Sequence, residues 1–410
     1  MSTACLESLA VRPRERSGAG GVALAATVGN MLGITPAISA TIGVLLVPIA
    51  QDFHWPRAQV SGVLGLISLI SAVVYPWVGR AMDRLGARTM LILGNLVFAA
   101  SVAALALSRP SVPIFYGLFA LVGVAGAFPS TAMFCKAVAD WFDERRGLML
   151  GVTAGVGNGV GATVMPILAG VLLGTVGWRG AYLGIAVVVA GLGFPVLFAF
   201  LRDAPRGSGA HGDALMEGLT LGEAARTSRF WLLLLGAAAG GGAMTAVFTH
   251  VVPILTDRGV GLGEATGIVA LFALVTAGWQ VVAGLIIDRW RSPRIMTPMY
   301  ALAIVGLLLL QFGEGGLSRF AAGTMLGIGM GAEYAALPYF ISRFFGLRHF
   351  GTITGALYGV VILVQGLAPF LMDMSFDARG SYAMASGVTA VVLTGAMGLF
   401  AMLPRAEAQE

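Results

Sequence analysis

The sequence contains little charge. Asp, Glu, Lys and Arg make up 11% of its 410 residues, whereas hydrophobic residues make up 57%. Charged residues usually account for about a quarter of a soluble globular domain, and the mean hydropathy of this chain is +0.87. This scarcity of charge excludes a water-soluble globular protein and indicates that lipid is the solvent for most of the chain.

Cysteine and the usual catalytic patterns are also scarce. Cys135 lies in an apolar run and Cys5 near the start of the chain, so we expect no structural disulfide and find no metal-ligand spacing. The glycine-rich run "GVGNGVG" at 155–161 follows no strand, which argues against nucleotide binding. The sequence holds no nucleophile triad. We therefore predict that the protein is not an enzyme, has no cofactor or metal, and has no nucleic-acid partner.

Long apolar runs occupy most of the chain instead. A helix of about 20 apolar residues, rising about 1.5 Å per residue, crosses a hydrocarbon core about 30 Å thick. The runs are continuous and lack the alternation of membrane barrel strands. The sequence predicts an all-α membrane protein with spans at 21–49, 58–78, 89–107, 112–135, 148–174, 180–201, 230–255, 265–287, 295–312, 318–341, 352–372 and 382–403.

Basic residues lie mainly on one side of this predicted membrane protein. Nineteen of the 25 Lys and Arg residues fall in the N-terminal tail (1–20), in the loops after the even-numbered spans and at the C-terminal end (404–410). By the positive-inside rule this side faces the cytoplasm. We therefore expect a multi-pass protein of the inner cell membrane, embedded in the lipid bilayer, with both termini cytoplasmic.

The chain repeats itself at half its length. The charged stretch "GRAMDRLGAR" at 79–88 returns as "GLIIDRWRSPR" at 284–294, which places Asp83 and Asp288 205 positions apart. The longest internal polar stretch, 202–229, falls between the copies. We predict an N-terminal six-helix half at 21–201, a cytoplasmic linker at 202–229 and a C-terminal six-helix half at 230–403. Such repeats are typical of transporters.

These two charged stretches resemble the loop signature of the major facilitator superfamily. The resemblance implies twelve transmembrane helices in two six-helix pseudo-symmetric halves, working by alternating access. It also implies a latch on the cytoplasmic side that closes the seam between the halves, because helix ends and arginines can pair there with the two carboxylates. The predicted gating residues are Gly79, Asp83, Arg84, Arg88, Asp288 and Arg289.

Three further stretches are similar to the bacterial oxalate/formate and monocarboxylate carrier branch of that superfamily. They are "TIGVLLVPIAQDFHWPRAQVS" after the first span, "THVVPILTDRGVG" at 249–261 and "YFISRFFGLRHFGTITG" at 339–355. Carriers of this type place an arginine in the eighth span to hold a carboxylate. Here the matching position is Gln280. Binding of an anion by a buried cation is therefore not expected.

Two titratable residues inside spans are candidates for proton coupling. Glu333 is the one carboxylate well inside a predicted span, and a low-dielectric interior favours its neutral form, so it could take up and release protons. His250, in the seventh span, titrates near neutrality and could gate transport or bind a carboxylate. Alternatively, each makes an ordinary hydrogen bond to a neighbouring helix.

Neutral polar side chains provide the remaining candidates for substrate binding. Together with His250 they describe a polar site without a fixed charge, suited to a weakly acidic or neutral organic molecule. The set is Asn30, Thr131, Asn158, Gln280, Tyr334, Tyr358 and Gln365.

We therefore predict a secondary active transporter that moves a small, monocarboxylate-like organic acid together with protons, as a monomer. One alternative is a proton-driven exporter of amphiphilic or drug-like compounds, which the 18 methionines and the lack of a cationic anchor would tolerate. The dense glycine of "GVTAGVGNGVG" at 151–161 indicates close helix packing, although it is also partly similar to an antiporter signature. A second alternative is a transporter-like solute sensor.

Overall fold

Helices form almost the whole described chain, as expected where lipid offers no partners to backbone N–H and C=O groups. The computed structural model describes residues 18–142, 145–204 and 218–405. The predicted tails and linker therefore lie partly outside the described residues, at 1–17, 205–217 and 406–410.

The first half of the chain contributes six helical segments, several of them bent. α1 bends at a π-helical turn, Thr35–Ser39, and α5 at another, Val152–Val156. The segments are α1 (Ala19–Phe53), α2 (Val63–Leu85), α3 (Ala87–Leu107), α4 (Val112–Ala139), α5 (146–176) and α6 (178–200).

The second half also contributes six helical segments. A short helix, Leu221–Ala225, precedes them, and its capping residue Thr220 donates its backbone N–H to Glu223, which lowers the pKa of that carboxyl. The segments are α7 (Ser228–Asp257), α8 (Leu262–Trp290), α9 (Met296–Phe312), α10 (Gly315–Phe345), α11 (Phe350–Arg379) and α12 (Ala383–Met402).

These segments agree with the predicted order of twelve spans. Ten stretches of the described chain are long and apolar enough to cross a membrane. One of them, Arg146–Phe200, holds both α5 and α6, which separate at Gly177, where φ is +70° and only glycine is unstrained. The helix α10 is additional to the ten. The all-α class is thus confirmed, and the count of twelve passes is consistent with the structure.

Several of the predicted spans ended too early in the sequence. α2 continues to Leu85 and α8 to Trp290, so Asp83 and Asp288 lie in last helical turns and not in loops. A charged side chain ends a hydrophobic run in the sequence, but it does not interrupt the backbone hydrogen bonds of the helix. The two helices end instead where the backbone has a positive φ, at Gly86 (+87°) and Arg291 (+48°).

Glycines allow the two halves to approach closely along two seams. At the seam between α2 and α11, a Cβ added to Gly351 would lie 2.6 Å from the carbonyl oxygen of Gly79. At the seam between α5 and α8, a Cβ on Gly147 would lie 2.5 Å from the carbonyl oxygen of Gly284. Small residues at such positions let helix backbones touch. Both seams therefore close tightly at the end that carries Asp83 and Asp288.

The seams make a testable prediction. In Gly284→Val, the new side chain would overlap the Gly147 backbone, and overpacking of this kind costs about 1–3 kcal/mol. We expect a lower melting temperature in detergent. Gly278→Val is the matched control, because a Cβ at Gly278 of the same helix meets nothing within 4 Å. Equal melting temperatures for the two variants would contradict the close seam.

Candidate functional site

The first carboxylate of the repeat, Asp83, caps the start of a helix in the other half. Its Oδ1 accepts from the backbone N–H of Gly351 at 3.0 Å, and its Oδ2 accepts from Thr352 N at 2.8 Å and Thr352 Oγ1 at 2.7 Å. The two backbone N–H groups belong to the first turn of α11, where N–H groups have no partner within their own helix. Lys136 Nζ of α4 lies 3.1 Å from the same carboxylate.

The second carboxylate, Asp288, does the same in the opposite direction. From the end of α8 it accepts from the backbone N–H groups of Gly147 at 2.7 Å and Leu148 at 2.8 Å, in the first turn of α5. Arg146 and Arg343 lie within electrostatic range of this carboxylate. Each half thus caps one helix of the other, and we call these two reciprocal caps the latch.

The predicted gating residues divide into two groups. Gly79, Asp83 and Asp288 lie at the seams. Arg88, in contrast, bonds within its own half: its backbone N–H donates to Asp203 Oδ1 at 2.9 Å, and its guanidinium donates to a carbonyl of α6. Arg84 and Arg289 are exposed. In the described chain, helix starts, Lys136 and Arg146 lie beside the latch carboxylates, and a gating role for these three arginines stays a prediction.

Three of the predicted site residues form a continuous hydrogen-bonded chain in the first half. Asn158 Nδ2 donates to Thr131 Oγ1 at 3.0 Å, Thr131 Oγ1 donates to Asn30 Oδ1 at 2.8 Å, and Asn30 Nδ2 donates to the carbonyl of Thr153 at 2.8 Å. We call this the polar chain. The polar chain joins α1, α4 and α5. Thr153 lies in the π-helical turn of α5, and Asn30 supplies a hydrogen-bond donor to a carbonyl of this irregular backbone.

Glu333 occupies the corresponding position in the second half. Its side chain is 6% exposed, and Tyr300 Oη of α9 donates to its Oε2 at 3.0 Å. A Cβ added to Gly241 would lie 2.5 Å from Glu333 Oε1 and 2.7 Å from Gln365 Nε2, so both side chains reach the same glycine of α7. Tyr334 approaches Gln365 as well. Glu333, Tyr334 and Gln365 therefore converge on the glycine-rich part of α7.

Gln280 and Tyr358 lie on the seams between the halves. Gln280 is 5% exposed and packs against Gly155 of α5, and its Oε1 lies without a hydrogen-bond partner among the described residues. Tyr358 of α11 is buried near Tyr75 and Tyr334. The structure thus brings the predicted neutral residues to the facing surfaces of the two halves.

His250 lies apart from this group, in a pair that the sequence did not predict. Its Nδ1 faces the carbonyl of Ala246 at 2.8 Å and its Nε2 faces Asp373 Oδ1 at 2.7 Å. The ring is buried against Tyr382, whereas the Asp373 side chain is 57% exposed. Both ring nitrogens of His250 therefore face oxygen atoms, one on its own helix and one on α11.

Sequence reasoning missed three functional candidates. Asp373 was one residue beyond the predicted eleventh span, which in the structure continues to Arg379. Tyr300 and Glu333 are 33 residues apart on adjacent helices, so no local pattern links them. Arg146, 6% exposed, donates to Ser342 of the other half, 196 positions away, so no local pattern links these two residues either.

This arrangement defines a class of protein. Two helical halves meet along glycine seams, reciprocal caps join them at one end, and polar side chains lie on the facing surfaces, as expected of membrane transport proteins built from two repeats. The model of the Major Facilitator Superfamily matches residues 23–369, and the chain belongs to this family of transporters.

Relatives within the family differ in what their names say they carry. The chain is 26% identical to monocarboxylate transporter 11 of Homo sapiens over 95% of its own length and 84% of that protein. It is 33% identical to the multidrug efflux pump LfrA of Mycolicibacterium smegmatis over 42% of its length and 32% of the pump. In structure it is similar to the fucose:proton symporter FucP of E. coli, with a TM-score of 0.71 and 14% identity, covering 94% of this chain and 98% of FucP.

The latch makes the second prediction. Replacing Asp83 or Asp288 by Asn removes a charged acceptor from a helix start, where such hydrogen bonds contribute about 1.5–3 kcal/mol. We expect the latch to open more often in either variant. The measurement is the rate of maleimide labelling of a cysteine at Thr354, a fully buried position of α11, in a background without Cys5 and Cys135.

Arg84→Gln is the control for this experiment, because Arg84 belongs to the same charged stretch but is exposed. We expect about a tenfold faster labelling in the aspartate variants and no change in the control. Unchanged labelling in both aspartate variants would show that the caps do not hold the seam closed.

Proposed function

We propose that this protein is a secondary active transporter that moves a small, monocarboxylate-like organic acid by alternating access, coupled to protons. In this proposal it functions as a monomer in the inner cell membrane, with the latch and both termini on the cytoplasmic side. The structure then corresponds to a state closed toward the cytoplasm. The two halves are those at 21–201 and 230–403.

The observation that carries the proposal is the chemistry of the facing surfaces. They present amides and hydroxyls from α1, α4, α5, α8, α10 and α11 and, away from the latch, the carboxyl of Glu333. Of the buried cations in the described chain, Lys136 lies at the latch 3.1 Å from Asp83, and Arg146 lies there within electrostatic range of Asp288. A permanent anion would meet no fixed positive charge at such a site, whereas a weak acid can enter in its neutral form.

The resemblance to a monocarboxylate transporter over 95% of the chain supports this substrate class. The side chain of Gln280 indicates which form of the acid the site would bind. An amide can both donate and accept hydrogen bonds, whereas an arginine only donates and keeps its charge. A carboxylic acid group, with one donor and one acceptor, is the complement of an amide.

Glu333 is the proposed proton-coupling residue. It is buried against the glycines of α7, so its ionised form depends on the hydroxyl of Tyr300, the one hydrogen-bond donor to this carboxylate found in the described chain. Proton uptake would make the side chain neutral and weaken its hydrogen bond with Tyr300, because a neutral acid is a weaker acceptor than a carboxylate. His250 with Asp373 is a second candidate for proton binding, because Asp373 remains exposed while His250 is buried.

A second candidate function is proton-driven export of amphiphilic compounds. The match to a multidrug efflux pump favours it. Proteoliposomes loaded with labelled small acids or with amphiphilic dyes, with and without a pH gradient, would distinguish the two functions. Movement of dyes alone would support the exporter.

The proton-coupling proposal predicts a separation of two activities. Glu333→Gln cannot release a proton, so we expect it to retain exchange of labelled acid across the proteoliposome membrane while losing accumulation driven by a pH gradient. The control is Glu264→Gln, a second glutamate of the C-terminal half, which pairs with Arg319 away from the site. Normal accumulation by Glu333→Gln would transfer the role to His250 and Asp373.

The neutral site predicts how affinity depends on pH. For a monocarboxylic acid, affinity measured by calorimetry should rise as pH falls toward the pKa of the acid, following its neutral form. Oxalate, a dianion at neutral pH, should bind poorly because no fixed cation offsets its desolvation.

Gln280→Arg should strengthen the binding of anions and remove most of this pH dependence. Tight, pH-independent binding of oxalate by the unmodified protein would show that a cation reaches the site, and would overturn the proposal of a neutral site.

A further inference from the structure

The polar chain has a fixed direction. The carbonyl of Thr153 can only accept, so the group of Asn30 that meets it at 2.8 Å must be the amide nitrogen. The other end of the Asn30 amide is then its oxygen, which accepts the single hydroxyl proton of Thr131 at 2.8 Å. With its proton used, Thr131 Oγ1 can only accept, and the group of Asn158 that faces it at 3.0 Å must donate.

The direction of the chain therefore determines the orientation of the last amide. The NH₂ group of Asn158 faces Thr131, and its oxygen, Oδ1, faces away. This oxygen is buried and has no hydrogen-bond partner among the described residues. A buried acceptor without a donor is costly. Amide orientation is usually ambiguous, but here a backbone carbonyl sets it through two intervening side chains.

The position of Asn158 on its helix places this oxygen between the halves. On α5, Gly157 and Gly161 pack against α1, whereas Gly155 and Gly159 pack against α8. At 100° per residue, Asn158 points between these two faces, toward the side of α5 where α1 and α8 converge. Gln280 of α8 packs on Gly155, three residues earlier.

We infer that Asn158 Oδ1 is a specificity-determining acceptor, held in place by Thr131 and Asn30, which selects substrates that carry a hydrogen-bond donor. This inference rests on the proposed function and narrows its substrate class. An un-ionised carboxylic acid and a primary amide can donate to this oxygen. A carboxylate and an ester cannot. Asn30 and Thr131 are then positioning residues, although the sequence had suggested direct binding.

Three probes that share the propionyl group test this selection: propionic acid, propionamide and methyl propionate, titrated into the purified full-length protein by calorimetry at about pH 5 and pH 7. We expect propionamide to bind with the same affinity at both pH values, because it is a neutral donor throughout. Propionic acid should bind more tightly at the lower pH. Methyl propionate should bind about 10-fold more weakly than propionamide, because it leaves the acceptor unpaired.

Substitution of Thr131 tests the positioning role. Thr131→Val keeps the shape of the side chain but removes the hydroxyl, so the Asn158 amide can turn either end toward a ligand. We expect the preference for propionamide over methyl propionate to fall from about 10-fold to near unity. Thr131→Ser keeps the hydroxyl and is the matched control, which should retain the preference. A merely structural role would weaken all three probes together and leave their ratio unchanged.

The possible outcomes separate the inference from the function on which it rests. Equal binding of amide and ester by the unmodified protein, with transport of small acids intact, would overturn the donor selection alone. An unchanged ratio in Thr131→Val would overturn the positioning role. Absence of binding by all three probes, together with no uptake of small acids, would overturn the proposed substrate class and the inference with it.

Discussion

The structure depends on one constraint: the backbone N–H groups in the first turn of a helix need a hydrogen-bond acceptor from outside that helix. At Gly351 and Thr352 of α11, and at Gly147 and Leu148 of α5, that acceptor is a carboxylate from the opposite half. The first N–H groups of a helix carry partial positive charge, and aspartate matches it. Near the membrane surface water can replace either partner, so the same bond can hold the halves together and also release them.

Within the described chain, no buried cation lies near the polar residues, because the buried cations lie at the latch. Lys136 lies at the latch 3.1 Å from Asp83, and Arg146 lies there within electrostatic range of Asp288. The polar residues away from the latch are amides, hydroxyls and Glu333, whose partner is a tyrosine. In the described chain, buried charge is therefore concentrated at the latch, and neutral hydrogen bonding predominates among the polar residues away from it.

Sequence alone predicted the helical class, the family resemblance and the seam positions of Asp83 and Asp288, because hydropathy and the half-length repeat are properties of the chain itself. It failed where a partner lies on another helix. Tyr300 and Glu333 are 33 positions apart, and His250 and Asp373 are 123 positions apart, so no local pattern links either pair. It also assigned Arg84, Arg88 and Arg289 to the latch, since a sequence gives charge but not the direction in which a side chain points.

The latch and the polar site are connected through two helices that they share. Asp288 caps the first turn of α5, and Asn158 lies about 15 Å further along that helix, at 1.5 Å per residue. On α8, Gln280 is eight residues, about 12 Å, from Asp288. Any movement that separates α5 from α8 at the latch therefore also changes the spacing of Asn158 and Gln280. The π-helical turn of α5, Val152–Val156, lies between the two sites, and Asn30 binds its carbonyl at Thr153. The polar chain thus joins the π-helical turn of α5 to α1 and α4, so hydrogen bonds hold the irregular backbone that lies between the capped end of α5 and Asn158.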